Sequence, residues 1–412
     1  MNYVIIGNGT AAVGTIEGIR AVDPEGPITV ISEEPYHVYG RPLISYMLLG
    51  KTTEDKMLQY RPTDFYEKNG VRALLGRKAA SIDAAAKTVV LEDGEKIPYD
   101  KLCICTGSRP FVPPMAGLDM VEDKTSFMTL DDAKHLDAML GTEHDKRVLI
   151  IGAGLIGLKC AEGIYQRVKE LTVIDLAPRI LPNVLTEVPA SIIQKHIESK
   201  GVKFLLEDSV EQFEPHTAHL KSGKTVDFDV LVVAVGVRPN TELAAGAGCE
   251  VNRGIVTDAR SATTVPDIYA AGDCAISHDI TADTDRILAI LPNAYMQGET
   301  AGHNMAGDPH EFTKAVPMNA SGFMGLHMIT AGSYEGETYL EQDEDHYKLL
   351  ITRDNHLVGF IMIGDVDRAG IYTSLIREQT PLDTIDFDLI REKPQLMAFS
   401  RAERAKKLGG AH

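Results

Sequence analysis

The sequence predicts an α/β fold: two strand–turn–helix–strand units of the parallel-sheet kind, followed by an α+β segment. Three observations predict it. An apolar strand runs into a glycine-rich turn and a helix at the start of the chain. The same order returns about 145 residues later, and the last hundred residues contain two strands joined by a turn. With 412 residues, 44% of them hydrophobic, the chain exceeds one ordinary core and fits two or three domains.

The first unit opens with Tyr3-Val4-Ile5-Ile6, then Gly7-Asn8-Gly9-Thr10-Ala11-Ala12, a helical pattern to about Ala21, and a second strand Ile28-Thr29-Val30-Ile31. This is the setting a dinucleotide-binding turn requires. Gly7 permits the tight turn, Gly9 lets backbone approach a pyrophosphate, and Ala12 is small enough for close helix–strand packing. The helix N-terminus then offers N–H groups and a positive dipole end to the phosphates.

The second unit repeats this with Arg147-Val148-Leu149-Ile150-Ile151 and the full fingerprint Gly152-Ala153-Gly154-Leu155-Ile156-Gly157. Its helix is expected from about Leu155 to Val168, and its next strand reaches Asp175. A carboxylate about twenty residues beyond the glycines accepts hydrogen bonds from the ribose hydroxyls of NAD and repels a 2′-phosphate, so NAD is expected over NADP. In the first unit the equivalent place holds Ser32, with Glu33 next, and Glu33 is the candidate for the other nucleotide's adenosine ribose. Two such fingerprints, each in its strand–turn–helix setting, predict two Rossmann-like nucleotide-binding domains.

Composition excludes several classes. Net charge is -18, which disfavours nucleic acid as a partner. No stretch approaches the roughly 18 apolar residues of a membrane span. The N-terminus enters a strand with no basic segment before it, so no signal peptide is expected and the cytoplasm is the expected location. The cysteines, Cys103, Cys105, Cys160, Cys249 and Cys274, fit neither a disulfide framework nor a zinc site and read as buried thiols. No metal site, Ser/His/Asp triad or paired-carboxylate site emerges, and the 13 histidines are scattered.

Further motifs carry a resemblance. The segment Tyr99 to Pro110, containing Thr106-Gly107, resembles the strand-plus-Thr-Gly element of the flavoprotein disulfide-reductase-like superfamily, and it recurs at Leu231 to Asn240 with Gly236. Thr264 to Asp273, ending Ala271-Gly272-Asp273, is similar to that superfamily's second FAD motif, whose aspartate bonds the ribityl–pyrophosphate part of FAD. The resemblance spans essentially the whole chain. It implies a split FAD domain (1–113 and 239–314), an NAD domain inserted within it (114–238) and a C-terminal interface domain (315–412). It also implies that Leu291-Pro292-Asn293-Ala294 opens a helix aimed at the isoalloxazine, with Asn293 beside the cofactor. The interface domain's strands are expected at 348–352 and 358–363, turning at Asp354-Asn355.

The superfamily's disulfide reductases and water-forming NADH oxidases carry a redox cysteine where this chain reads Tyr39-Gly40-Arg41-Pro42-Leu43-Ile44-Ser45-Tyr46-Met47-Leu48. No cysteine is present there, so thiolate chemistry is not expected. Arg41-Pro42 and Gly364 to Tyr372 instead resemble the branch of NADH:rubredoxin reductases, the FAD region of nitrite reductases, and FAD subunits of iron–sulfur oxidoreductase complexes. The familiar lysine and glutamate of related ferredoxin reductases are replaced by Tyr46 and Lys159. Lys159 has two readings: a cation at the nicotinamide or flavin edge that favours anionic reduced flavin, or an exposed helix lysine.

The implied activity is hydride exchange between NAD(H) and flavin N5, with single electrons passed to or from a rubredoxin, ferredoxin or partner subunit. Alternatives are the FAD subunit of a complex oxidising an aldehyde or 2-oxo acid, an NADH oxidase, and a flavin- and NAD-binding sensor without turnover. Residues 391–412 carry six basic side chains (Arg391, Lys393, Arg401, Arg404, Lys406, Lys407) against Glu392 and Glu403. This tail, with a short helix expected from Ala398 to Leu408, reads either as a frayed terminus or as a dock for an acidic iron–sulfur partner.

Overall fold

The computed structural model describes residues 1–343 and 346–408, the last three by backbone alone. The chain divides into two compact units, one formed by 1–276 with 291–312 and the other by 277–290 with 313–412.

The larger unit holds two parallel five-stranded sheets. In the first, β1 (Tyr3–Ile6), α1 (Thr10–Val22), β2 (Ile28–Ser32), α2 (Ile44–Leu48), β3 (Val71–Leu75) and β4 (Lys101–Ile104) come in chain order. The second sheet is built around β5 (Arg147–Ile151), α3 (Leu155–Ile164), β6 (Glu170–Asp175), β7 (Val202–Leu206) and β8 (Val230–Val233). The chain then returns to the first sheet with β9 (Ile268–Ala270) and α4 (Leu291–Met305). The sheet orders are β9-β4-β1-β2-β3 and β7-β6-β5-β8, the latter closed by the short strand Lys124–Thr125.

Both faces of the first sheet are covered, as a parallel sheet requires. Tyr3 and Ile5 face the core that contains Ala12, Ile16 and Ala301, while Val4 and Ile6 face the core around Val89, Leu102 and Ile255. Helices α1 and α4 touch backbone to backbone. A Cβ on Gly14 would lie 2.2 Å from Tyr295 O, and one on Gly298 would lie 2.0 Å from Ala11 O. Helix α3 ends at Ile164, four residues before the expected Val168, because Arg167 N–H turns back to Ile164 O and Lys169 N–H pairs with Lys146 O.

The smaller unit is an antiparallel sheet of β10 (Met318–Phe323), β11 (Leu326–Gly332), β12 (Glu337–Gln342), β13 (Tyr347–Arg353) and β14 (His356–Ile363), ordered β10-β11-β14-β13-β12. Its expected turn is present: Asp354 and Asn355 take φ of 51° and 62°, the left-handed pair of a tight hairpin. Helix α5 (Ala369–Arg377) packs Tyr372 against Phe360. Residues 277–290 cluster with this unit: Ile280 N–H bonds Ala315 O, and the fully buried Asp279 pairs with Arg286. The terminal helix α6 (Arg401–Leu408) begins three residues later than expected, since Ala398 and Phe399 are buried in the unit's core. Among the described residues no helix is long and apolar enough to cross a membrane.

Candidate dinucleotide and flavin sites

Backbone bonds align the two parallel sheets residue by residue. Gly7 N–H donates to Ile31 O and Gly152 N–H to Ile174 O, each at 2.8 Å; Cys105 N–H donates to Ile6 O and Ala234 N–H to Ile151 O. Ile31 and Ile174 therefore correspond, as do Gly107 and Gly236, and Ser32 stands where Asp175 stands.

The glycines have distinct reasons. Gly7 and Gly152 take φ of 111° and 110°, and a Cβ would fall 2.0 Å from Cys105 O and 2.3 Å from Ala234 O, so both turns demand glycine. Gly157 would meet Gly152 O at 1.9 Å, which makes it the close-packing position, and Ala12 fills the corresponding place fully buried. Gly9 and Gly154 have ordinary negative φ, and a Cβ on either would meet nothing within 4 Å. Open space above an extended glycine is where a pyrophosphate can approach backbone. Among the described residues no side chain caps α1 or α3, whose first turns also carry no acid. Leu155 and Ile156 open α3, so their N–H groups belong to that uncapped turn. The residues present thus fit two dinucleotides.

Asp175 ends β6 and accepts from Ala153 N–H at 2.6 Å and from Ala177 N–H at 2.8 Å. These bonds fix its carboxylate at the glycine loop while each oxygen keeps acceptor capacity. Glu33 lies one residue beyond the position equivalent to Asp175; it is exposed and pairs with Lys78 at 3.2 Å. The acid turned toward Arg41 is Glu34, which accepts from Arg41 Nη2 at 2.6 Å and from Tyr39 Oη at 2.8 Å.

Arg41 and Pro42 form a 3₁₀ turn leading directly into α2. Burial pushes the Asp273 carboxyl up from its ordinary value, and the Arg41 charge opposes the rise. Gly272 N–H donates to Gln297 Oε1 at 2.9 Å, and Asn293 lies fully buried in the first turn of α4. Asn240 clamps the Thr106-Gly107 loop: its side chain donates to Thr106 O at 2.9 Å and its carbonyl accepts from Thr106 Oγ1 at 2.7 Å. Gly107 and Gly236 have positive φ and open space above them.

Sequence reasoning missed Glu34, Asn240 and Gln297, because each acts through a contact that only the fold creates. Lys159 is not an exposed helix lysine. Its side chain is 18% exposed, its ammonium pairs with the nearly buried Glu162, and it stands 4.5 Å from the centre of the Tyr46 ring. All five cysteines are buried, and burial pushes the Cys160 thiol up and that of Cys274 up to about 12.

Residues 1–298 match the family described as pyridine nucleotide-disulphide oxidoreductase. The chain belongs to that family. Residues 317–380 match the rubredoxin NAD+ reductase C-terminal domain. The protein is an FAD-dependent NAD(H) oxidoreductase. It is 32% identical over 92% of its length to the epsilon subunit of NADH-dependent phenylglyoxylate dehydrogenase of Aromatoleum evansii, covering 92% of that protein. It is 30% identical to rubredoxin-NAD(+) reductase of Pseudomonas putida over 74% of this chain and 80% of that one. Against nitrite reductase of Bacillus subtilis the identity is 31% over 92% of this chain, which spans about half (47%) of that relative's length. The covalent putidaredoxin reductase–putidaredoxin complex contains a chain with the same fold, at a TM-score of 0.87 and 24% identity, covering 100% of this chain and 99% of that one.

Proposed function

We propose that this oxidoreductase carries electrons between NAD(H) and an iron–sulfur protein, either a rubredoxin or ferredoxin or an iron–sulfur subunit. The observation that carries the reading is the rubredoxin-reductase-type C-terminal segment at 317–380. Agreeing with it, no cysteine lies on the 3₁₀ turn or on α2, and the thiols elsewhere are buried. When bound, FAD supplies two-electron exchange with a nicotinamide and one-electron exchange with an iron centre.

The chain's own residues bind and orient. Gly7, Gly9 and Ala12 with the α1 N-terminus are assigned to the FAD pyrophosphate. Arg41, Pro42, Thr106, Gly107, Gly272, Asp273 and Asn293 are assigned to the flavin half, and Glu33 to the adenosine side. Gly152, Gly154, Leu155, Ile156, Gly157 and Gly236 are assigned to NAD, with Asp175 on its ribose. The nested plan, 1–113 and 239–314 for FAD around 114–238 for NAD, is part of the same reading. Anaerobic reduction by NADH followed by reoxidation with a rubredoxin or ferredoxin tests it: one-electron reduction of the iron protein is expected, and reoxidation by oxygen alone would contradict it.

A second reading, the FAD subunit of a 2-oxo acid oxidoreductase complex, is favoured by the similarity to the phenylglyoxylate dehydrogenase subunit over 92% of both chains. Co-purification with iron-containing subunits separates it from the first.

The partner's dock is assigned to the basic tail 391–412. Arg401 is exposed and Arg404 is half-buried, while the side chains of Lys406 and Lys407 lie outside the described residues. Because Ala398 and Phe399 are core residues, the informative truncation removes 401–412. It should slow reduction of an acidic iron–sulfur partner and flatten the salt dependence, leaving turnover with ferricyanide intact.

A further inference from the structure

Helix α2 crosses α3 at Gly163, where a Cβ would stand 3.1 Å from Ser45 O, and Ser45 itself is buried. The two helices continue two different loops. The first follows Arg41-Pro42, whose arginine reaches the field of Asp273; the second follows the Gly152–Gly157 fingerprint. The crossing is therefore where the segment assigned to FAD meets the segment assigned to NAD.

An ion pair is built into this crossing. Lys159 and Glu162 pair one turn apart on α3, with side chains 18% and 3% exposed. The Lys159 ammonium also stands 4.5 Å from the centre of the Tyr46 ring on α2, which Lys51 approaches from 5.6 Å. Stability alone does not call for this arrangement. An i,i+3 pair on a solvated helix contributes little. Removing a carboxylate from water costs far more than that, and an apolar side chain of similar volume is often as stable or more so. The pair places a cation against an aromatic ring across the crossing.

We propose that Glu162 is a positioning residue of the hydride-transfer step. Its buried carboxylate aims the Lys159 ammonium at Tyr46, and this contact sets the glycine loop of the NAD segment at a fixed distance from the FAD segment. The proposal rests on the NAD(H)–FAD reading above. Relative to the lysine and glutamate of related ferredoxin reductases, the amine here belongs to the fingerprint helix and the ring to the flavin-side helix, so the clasp acts between the two segments.

The test uses the full FAD-loaded chain in anaerobic stopped flow with NADH. Glu162→Gln keeps the shape and removes the charge. Its limiting rate of flavin reduction should fall about tenfold to a hundredfold, as a displacement on the order of 1 Å produces. The NADH dissociation constant should change by less than about threefold. FAD content and the flavin midpoint potential, measured against a reference dye, should not move. Tyr46→Phe keeps the ring and should behave as the wild type, whereas Tyr46→Leu should repeat the loss; this pair carries the test if Glu162→Gln does not fold. A limiting rate within about threefold of wild type in Glu162→Gln, equal rates for the two Tyr46 variants, or a loss explained by a shifted flavin potential would overturn the proposal. Wild-type protein that NADH does not bleach would overturn the underlying reading instead.

Discussion

The carboxylate of Asp175 accepts a 2.6 Å hydrogen bond from the backbone N–H of Ala153, tying the end of β6 to the glycine loop of the second parallel sheet. With Asp175 assigned to the NAD ribose, as proposed above, the bond holds a negative charge on the side of the 2′ substituent. Asp175→Asn removes the charge and keeps one acceptor. The ratio of kcat/KM for NADH over NADPH should fall by at least about tenfold, about 1.4 kcal/mol of discrimination, chiefly through better use of NADPH. An unchanged ratio would remove Asp175 from the specificity determinants.

Gly9 and Gly154 separate folding from binding, because each has ordinary φ and open space at its Cβ. Gly154→Val should fold, keep its FAD and bleach with dithionite, yet resist NADH. Gly9→Val should fold and lose FAD. Flavin absorbance after gel filtration reads both, and loss of FAD in Gly154→Val would contradict the assignment of the second loop to NAD.

The turns were legible from sequence because their constraint is local: a positive φ at Gly7 or Gly152 follows from the strand-to-helix reversal itself. The paired turn at Asp354-Asn355 was legible for the same reason. What stayed hidden depends on contacts far apart in the chain. Asn240 acts on Thr106, 134 residues away, and Gln297 on Gly272, 25 away. Glu162 lies one helical turn from Lys159, but nothing in the local pattern marks it as a buried carboxylate. The basic residues of the tail suggest either a frayed terminus or a dock, and neither reading shows that Ala398 and Phe399 are held by the core of the smaller unit. The end of α3 was overrun because Val168 continues the apolar pattern after the backbone has already turned.

The crossing of α1 and α4 leaves no room for a methyl group. Gly298→Ala would place a carbon 2.0 Å from Ala11 O, backbone that cannot step aside. It should cost about 1–3 kcal/mol or more and loosen FAD, because α1 opens at the Gly7-Asn8-Gly9 turn. Urea unfolding of the apo and FAD-loaded forms measures both effects.

Arg147 and Asp229 join β5 to the start of β8. The arginine donates through Nε at 3.1 Å, Nη2 at 2.9 Å and its backbone N–H at 2.7 Å. These bonds lower the Asp229 carboxyl to about 2. A depressed acid stabilises the fold above its unfolded value, near 3.8, and loses that contribution as pH falls toward about 2. Asp229→Asn should therefore cost about 1–2 kcal/mol at neutral pH, and the gap to wild type should close as pH falls toward about 2. Denaturant unfolding at a series of pH values checks the sign.

In the proposed function one chain brings NAD(H) and FAD together for hydride exchange. Anaerobic stopped-flow reduction of the FAD-loaded protein, followed by flavin absorbance, tests it most directly. Rapid bleaching by NADH with slow bleaching by NADPH is the expected result. No bleaching by either nucleotide, in protein that dithionite does bleach, would contradict the account.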